Sequence, residues 1–158
     1  MKEITLSRGM VALVDDEDFE WLSASKWTGR KDGYACRNVP HPINAGKRTT
    51  LLMQRAIMGM ESSDKREVDH IDGNRLNNCR SNLRICSHSE NGRNKRPYRT
   101  SKSPFKGISK ESGKSKWTAQ IMVDGRQKRI GYFETPEEAH AAYRRAAAEL
   151  HGEFARFE

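Results

Sequence analysis

The chain has 158 residues, the size of one ordinary domain or two small ones, and only 35% of them are hydrophobic. With a mean hydropathy of -0.91 and no apolar run near the ~20 residues of a membrane span, a membrane protein is excluded, and a net charge of +8 favours a polar, acidic partner. Three cysteines, Cys36, Cys79 and Cys86, without a secretory apolar segment exclude a disulfide scaffold and predict reduced thiols in a soluble, cytoplasmic protein.

EITL and MVALV flank Ser7-Arg8-Gly9 and predict a hairpin. In DDEDFEWLSASKW, acidic residues lead Phe19 and Leu22 at helical spacing and predict a helix. GYACRNV and TTLLM predict further strands around loops containing Lys31-Asp32-Gly33 and Asn44-Ala45-Gly46. Residues 1–60 read as scaffold, with Arg30, Lys31, Arg37, Lys47 and Arg48 as surface charges within a possible reach of DNA.

Val68 to Asn91, VDHIDGNRLNNCRSNLRICSHSEN, concentrates two His, two Cys, two Asp and five Asn. Alternation at Val68 and His70, then at Leu83 and Ile85, predicts two short strands joined by a loop with Asp72-Gly73-Asn74 as its turn. Ser87-His88-Ser89-Glu90 has the capping-box pattern, so a helix is expected from His88 with Asn91 one turn inside it. A structural zinc site needs four Cys or His ligands in close pairs. Cys79, Cys86 and His88 lack that spacing, so a zinc knuckle remains the weaker alternative. Hydrolysis of a phosphodiester needs a base for water and a cation for the phosphate. Asp69-His70 sets a carboxylate beside an imidazole, and an Asp and Asn oxygen pair suits hydrated magnesium.

These residues resemble the HNH homing endonucleases of mobile introns and phages, which have a ββα-metal fold. The resemblance rests on DH, IDGNRLNN, SNLR and the ENGRN helix, with 12 positions from His70 to Asn82 and 9 from Asn82 to Asn91. The opening segment is similar too, so it covers residues 1–95. It implies that His70 is the general base, that Asp69 and Asn91 hold a metal, and that Asn82, also in the catalytic set, braces the loop carrying His70. Asn at position 91 favours Mg2+ or Mn2+ over a tightly held transition metal. Gln54 stands where histidine is common in related sequences. Asn74, Asn77 and Asn78 are read as turn formers or backbone contacts.

Charge is concentrated beyond this motif. Residues 1–91 carry 14 basic and 13 acidic side chains, residues 92–131 carry 12 and 2, and residues 132–158 carry 3 and 6. A one-sign block of this kind is the footprint of a surface that tracks phosphates. GRNKRPYRTSKS, Gly92 to Ser103, has five basic residues and no periodicity. It is expected to be an extended tether on DNA, with Arg93, Lys95, Arg96 and Arg99 meeting phosphates.

From Pro104, SPFKGISKESGKSKWTAQIMVDGRQKRIGYF predicts three strands with turns at Glu111-Ser112-Gly113-Lys114 and Asp124-Gly125. Trp117, Ala119, Ile121 and Val123 share one face, and Thr118, Gln120 and Met122 the other. Thr135-Pro136-Glu137-Glu138 predicts a capped helix whose stripe is Ala139, Ala142, Tyr143, Ala146, Ala147 and Leu150. Through FKGI, W-x-A-x-I, IGYF-x-T-x-EEA, AAY and HGEFARF, residues 104–157 resemble the AP-two (ethylene-response-factor) DNA-binding domain. The resemblance implies a sheet laid in the major groove, presenting Lys106, Lys110, Thr118, Gln120, Met122 and Arg129. Ser109 and Glu111 replace arginines usual in that family, which makes phosphate contact the safer expectation than base readout.

The expected fold is α+β: an HNH nuclease domain over residues 1–95 (scaffold 1–60, motif 61–95), a basic linker over 96–103, and a three-stranded antiparallel sheet on one helix over 104–158. The expected function is metal-dependent, site-specific cleavage of double-stranded DNA by a monomer of phage or mobile-intron type. The alternative is a DNA-binding regulator whose nuclease site is degenerate.

Overall fold

The structure, a computed structural model, describes residues 1–94, 103, 105–110, 113–123 and 125–155, with the side chain of Glu153 left out. The tether residues Lys95, Arg96 and Arg99, along with Glu111, Ser112 and Asp124 of the predicted turns, lie outside the described residues. The chain divides into two compact units, Met1–His88 and Ser89–Glu158. Its elements are small antiparallel sheets with few helices, the α+β class expected.

In the first unit, β1 (Lys2–Thr5) and β2 (Val11–Val14) form the hairpin predicted from alternation. Ile4, Ala12 and Val14 turn inward. In α1 (Asp16–Ser23) three acidic residues occupy the first turn, where the helix dipole favours them. Leu22 is buried from this helix, and the Trp27 indole N–H donates to its carbonyl at 2.9 Å.

A sheet of β3 (Thr28–Gly29), β4 (Ala35–Pro40) and β5 (Arg48–Leu52) follows in that spatial order. The strand expected to include Met53 ends at Leu52. Met53 instead opens a short helix, α2 (Met53–Ile57), whose i and i+4 residues Met53 and Ile57 are both buried. Next come β6 (Glu67–His70) and β7 (Leu83–Cys86), paired antiparallel with Val68 opposite Ile85, Asp69 opposite Arg84 and His70 opposite Leu83. Val68 and Leu83 anchor this hairpin in a core that includes Ile4, Val14, Leu22, Trp27 and Met53.

Helix α3 (His88–Asn94) starts where the capping pattern predicts, and its first residue is the last of the first unit. In the second unit, β8 (Ile108–Ser109), β9 (Trp117–Val123) and β10 (Arg126–Phe133) form an antiparallel sheet with β9 in the centre. Helix α4 (Pro136–His151) packs on one face of it. Its start is a full capping box: the Glu138 N–H donates to Thr135 Oγ1 at 3.2 Å, and the Thr135 N–H to Glu138 Oε2 at 3.4 Å.

Ala119 and Ile121 of β9 pack with Ala139, Tyr143 and Ala147 of α4. Close packing also dictates Gly107. Its φ is +75, and a Cβ there would stand 2.0 Å from the Tyr143 ring. Two details depart from the predicted pattern. Leu150 is 44% exposed, and the next residue, His151, is buried with its ring nitrogen Nε2 2.9 Å from the Met122 carbonyl. On the open sheet face Thr118 is buried, because Ser109 and Tyr132 flank it on the two neighbouring strands. A register shift between Arg129 and Gly131 lets Ile130 join the core while Tyr132 returns to the open face.

Candidate active site

Strand β6 ends by presenting Asp69 and His70, residues that pleating sends to opposite faces. Both are buried. His70 Nε2 lies 3.4 Å from Asn78 Oδ1, and its ring centroid is 6.0 Å from that of Tyr34. Burial pushes the His70 pKa below the ordinary 6.5; contact with Asn78 and the charges of Asp72 and Asp69 oppose the shift, and the Arg75 charge adds to it. Asn78 is itself fully buried, and its Nδ2 has no hydrogen-bond partner among the described residues.

Asp69 is held from the facing strand. Arg84 sits opposite it in the register and donates to Asp69 Oδ2 through Nε at 3.0 Å and Nη2 at 2.7 Å. The side chains are 12% and 6% exposed, so the pair is desolvated. A buried carboxylate with this guanidinium beside it keeps a fixed rotamer, which is the condition for serving as a directed oxygen ligand.

The loop between β6 and β7 is braced by its own polar side chains. Asn82 Nδ2 donates to Asp72 Oδ1 at 3.0 Å and to the Asn77 carbonyl at 2.8 Å, while its Oδ1 accepts the Asp72 N–H at 3.0 Å. Asp72 also accepts from the Asn74 N–H at 2.7 Å and from Asn77 Nδ2 at 2.8 Å. Burial alone would raise the Asp72 pKa, but these donors outweigh it and hold the carboxyl below the ordinary range.

The scaffold carries this loop. Leu13 of β2 donates to the Leu76 carbonyl and accepts from the Asn78 N–H, both at 2.8 Å. The carboxylate of Asp15, the residue before α1, accepts the Arg80 N–H at 2.7 Å, and the Arg80 guanidinium grips Asp18 with two bonds of 2.8 Å. The N-terminal hairpin and α1 are therefore the mount of the β6–β7 loop.

The structure thus gathers Asp69, His70 and Asn82 on one hairpin. Asn91 is half-buried on α3, whose start follows the end of β7 by two residues. Gln54 is buried in α2, its Oε1 without a partner among the described residues. Arg93 is on α3, and its carbonyl accepts a hydrogen bond from the Lys106 ammonium. The ammonium of Lys110 stands 5.5 Å from the centre of the Trp117 ring. Gln120 and Arg129 face each other across β9 and β10, and the Arg129 guanidinium lies 5.0 Å from the Tyr132 ring centre.

Among the described residues no three His, Cys, Asp or Glu side chains gather as a metal-holding cluster. Cys86 Sγ contacts the Glu67 carbonyl at 3.7 Å, and His88 Nδ1 pairs with Glu67 Oε1 at 2.7 Å. Sequence reasoning missed Arg84, Asn78, Tyr34 and Arg75 as neighbours of the site. Of these, Arg84 was recoverable, since an antiparallel pairing of EVDH with LRIC puts it opposite Asp69. No helix is long and apolar enough to cross a membrane among the described residues.

The HNH endonuclease family profile matches residues 59–93, which span α2's exit, β6, β7 and most of α3. A protein of Acanthamoeba polyphaga mimivirus described as an uncharacterized HNH endonuclease is 33% identical over 148 residues, 94% of this chain and 74% of that protein. Protein 3.8 of Escherichia phage T7 is 36% identical over 90 residues, 57% of this chain and 74% of its own length. No solved structure matches significantly. With the match to the mimivirus protein spanning nearly the whole chain and the family profile falling on the Asp69-His70 hairpin, the chain belongs to the HNH endonuclease family.

Proposed function

We propose that this protein is a metal-dependent, site-specific DNA endonuclease of the homing type, in which His70 is the general base. The observation that supports it most is the pairing of Asp69 and His70 at the end of one strand, with Asn82 bracing the loop that follows. His70 accepts a proton from water as the water oxygen bonds to phosphorus, the bond to the leaving sugar oxygen breaks, and that oxygen is protonated from solvent. In the tautomer that donates from Nε2 to Asn78 Oδ1, the ring lone pair is on Nδ1. Burial keeps the imidazole neutral, and therefore basic, at neutral pH.

HNH nucleases generally use a divalent metal ion. The donors here fit a hard one: a carboxylate oxygen from Asp69 and an amide oxygen from Asn91, with no larger His, Cys, Asp or Glu cluster among the described residues. Mg2+ or Mn2+ bound by Asp69 and Asn91 would neutralise charge on the phosphate and on the leaving oxygen. Arg84 fixes the Asp69 carboxylate for that purpose.

Residues 104–158 are proposed as an AP-two-like reader, joined to the nuclease domain (1–95) by the basic linker 96–103. Support comes from a sheet with one face on α4 and the other carrying Gln120, Met122, Arg129 and Tyr132, of which Met122 and Tyr132 are 53% and 52% exposed. Arg93, Lys95, Arg96, Arg99, Lys106, Lys110, Thr118, Gln120 and Arg129 are the proposed DNA contacts. A reader on a tether raises the local concentration of the nuclease at its target. One catalytic site acts on one strand per visit, so a monomer that nicks is the proposed form, and its viral relatives suit a phage or mobile-element enzyme acting in a host cell.

Incubation of supercoiled plasmid carrying the gene's own flanking sequence, with magnesium or with chelator, tests this reading. Nicking that requires the cation supports it. Binding without nicking in either condition points to a regulator with a silent nuclease site.

A further inference from the structure

The turn between β3 and β4 builds a seat for Arg75, a residue outside the catalytic set. The Arg30 N–H donates to the Tyr34 carbonyl at 2.9 Å and the Gly33 N–H to the Arg30 carbonyl at 3.0 Å, which closes the turn. Gly33 has φ +87, and a Cβ there would already be 3.8 Å from Arg75 Cδ. Arg75 reaches this turn from the β6–β7 loop. Its Nη1 donates to the Asp32 carbonyl, and its guanidinium carbon stands 4.6 Å from the centre of the Tyr34 ring. Tyr34 is also the aromatic neighbour of His70, at 6.0 Å between ring centroids. One ring therefore touches both the proposed base and an arginine.

Holding a long, exposed side chain still costs rotamer entropy, and an exposed charge on a turn returns little stability for that. Among the described residues no carboxylate forms an ion pair with Arg75; Asp32, the nearest in the turn, is paired with Arg30 at 2.9 Å. A guanidinium laid on an aromatic face still points its N–H fork outward in its own plane, where it matches the oxygens of a phosphate.

We propose that Arg75, seated on Tyr34, binds a backbone phosphate of duplex DNA and so places the strand to be cut beside His70. The inference rests on the nuclease reading of His70 and adds a substrate contact to it. The stack on Tyr34 sets the height of the guanidinium, and the bond to Asp32 sets its rotation. Substrate phosphate completes the fork.

The test is binding of the full-length protein to a short fluorescent duplex of arbitrary sequence in chelator, read by anisotropy over a salt series. Arg75→Gln is expected to flatten the slope of log K against log salt by about 0.9, one phosphate's worth, which is about an eightfold loss of affinity at 0.1 M salt. Arg75→Lys keeps the charge but loses the fork and the stack. A phosphate contact predicts a wild-type slope for Lys and a reduced one for Gln. A purely structural role predicts that Lys and Gln behave alike, and that result overturns the proposal, as does an unchanged slope in Arg75→Gln. Plasmid nicking with magnesium separates this from the underlying reading. Wild type that binds but never nicks counts against the nuclease, whereas wild type that nicks with Arg75→Gln unchanged in KM and slope counts against Arg75 alone.

Discussion

Asn82 and Asp72 hold each other across the β6–β7 loop: the Asp72 N–H donates to Asn82 Oδ1, and Asn82 Nδ2 returns a bond to Asp72 Oδ1, both at 3.0 Å. A third bond from Asn82 Nδ2 to the Asn77 carbonyl makes this one side chain the tie between the two ends of the loop. Asn82→Ala removes all three. It is expected to cost about 1–3 kcal/mol in urea unfolding, from partners left unpaired, and about a hundredfold in nicking rate as His70 drifts from its position. A variant that loses stability but nicks at the wild-type rate would show that the brace serves folding only.

The Asp69–Arg84 pair leads to a double-mutant cycle. Arg84→Met takes the guanidinium away from a buried carboxylate and should destabilise by about 3–5 kcal/mol. Asp69→Leu together with Arg84→Met should recover much of that loss, since an apolar pair of similar volume avoids desolvation altogether. Both variants should be inactive, so stability and activity diverge in the double variant. A loss in the double variant equal to the sum of the losses for Arg84→Met alone and Asp69→Leu alone would mean that the two side chains are not coupled.

The pH dependence follows from the depressed His70 pKa. The base must be neutral, so the nicking rate is expected to fall by one proton on the acid side, with its midpoint below about 6.5, the ordinary imidazole value. A divalent cation at Asp69 would push the midpoint in the same direction. Stability has a matching sign: below pH 6.5 the unfolded chain takes up a proton that the native state refuses, so stability declines as pH falls from 6.5 toward the native pKa. An acid limb centred above 6.5 would contradict the burial argument.

All three cysteines are free and buried, and burial raises the thiol pKa of Cys36 and of Cys79 above the ordinary 9.0. Native protein should therefore react slowly with a disulfide reagent at pH 8 and release its full thiol count only in denaturant. Fast labelling in the native state would mean that these sites open readily.

Much of this architecture was legible because periodicity and turn chemistry act locally. The N-terminal hairpin, α1, the β6–β7 hairpin, the start of α3 and the Thr135 capping box each depend on a few neighbouring residues, and each forms as read. Strand β3, with two residues, has no period to detect, and α2 begins inside a run of apolar residues that suits a strand equally well. Leu150 satisfied the helical stripe but yields its place to His151, which gains a backbone partner on β9 that spacing along the helix does not reveal. The same division holds at the site. Asp69, His70 and Asn82 stand in one compact motif, whereas Arg75 meets Tyr34 from 41 positions away, and Asn78 meets His70 through the fold of the loop. Contacts between distant segments depend on the packed core, and a single sequence does not display that.

In the proposed reaction His70 removes a proton from the attacking water. The most direct test compares wild type with His70→Ala on supercoiled plasmid in magnesium, after both have been shown to bind duplex DNA equally in chelator. Wild type is expected to convert plasmid to the nicked form, and His70→Ala to lose about 10²–10⁴-fold in that rate with binding unchanged. Nicking by His70→Ala at the wild-type rate would contradict that role for His70.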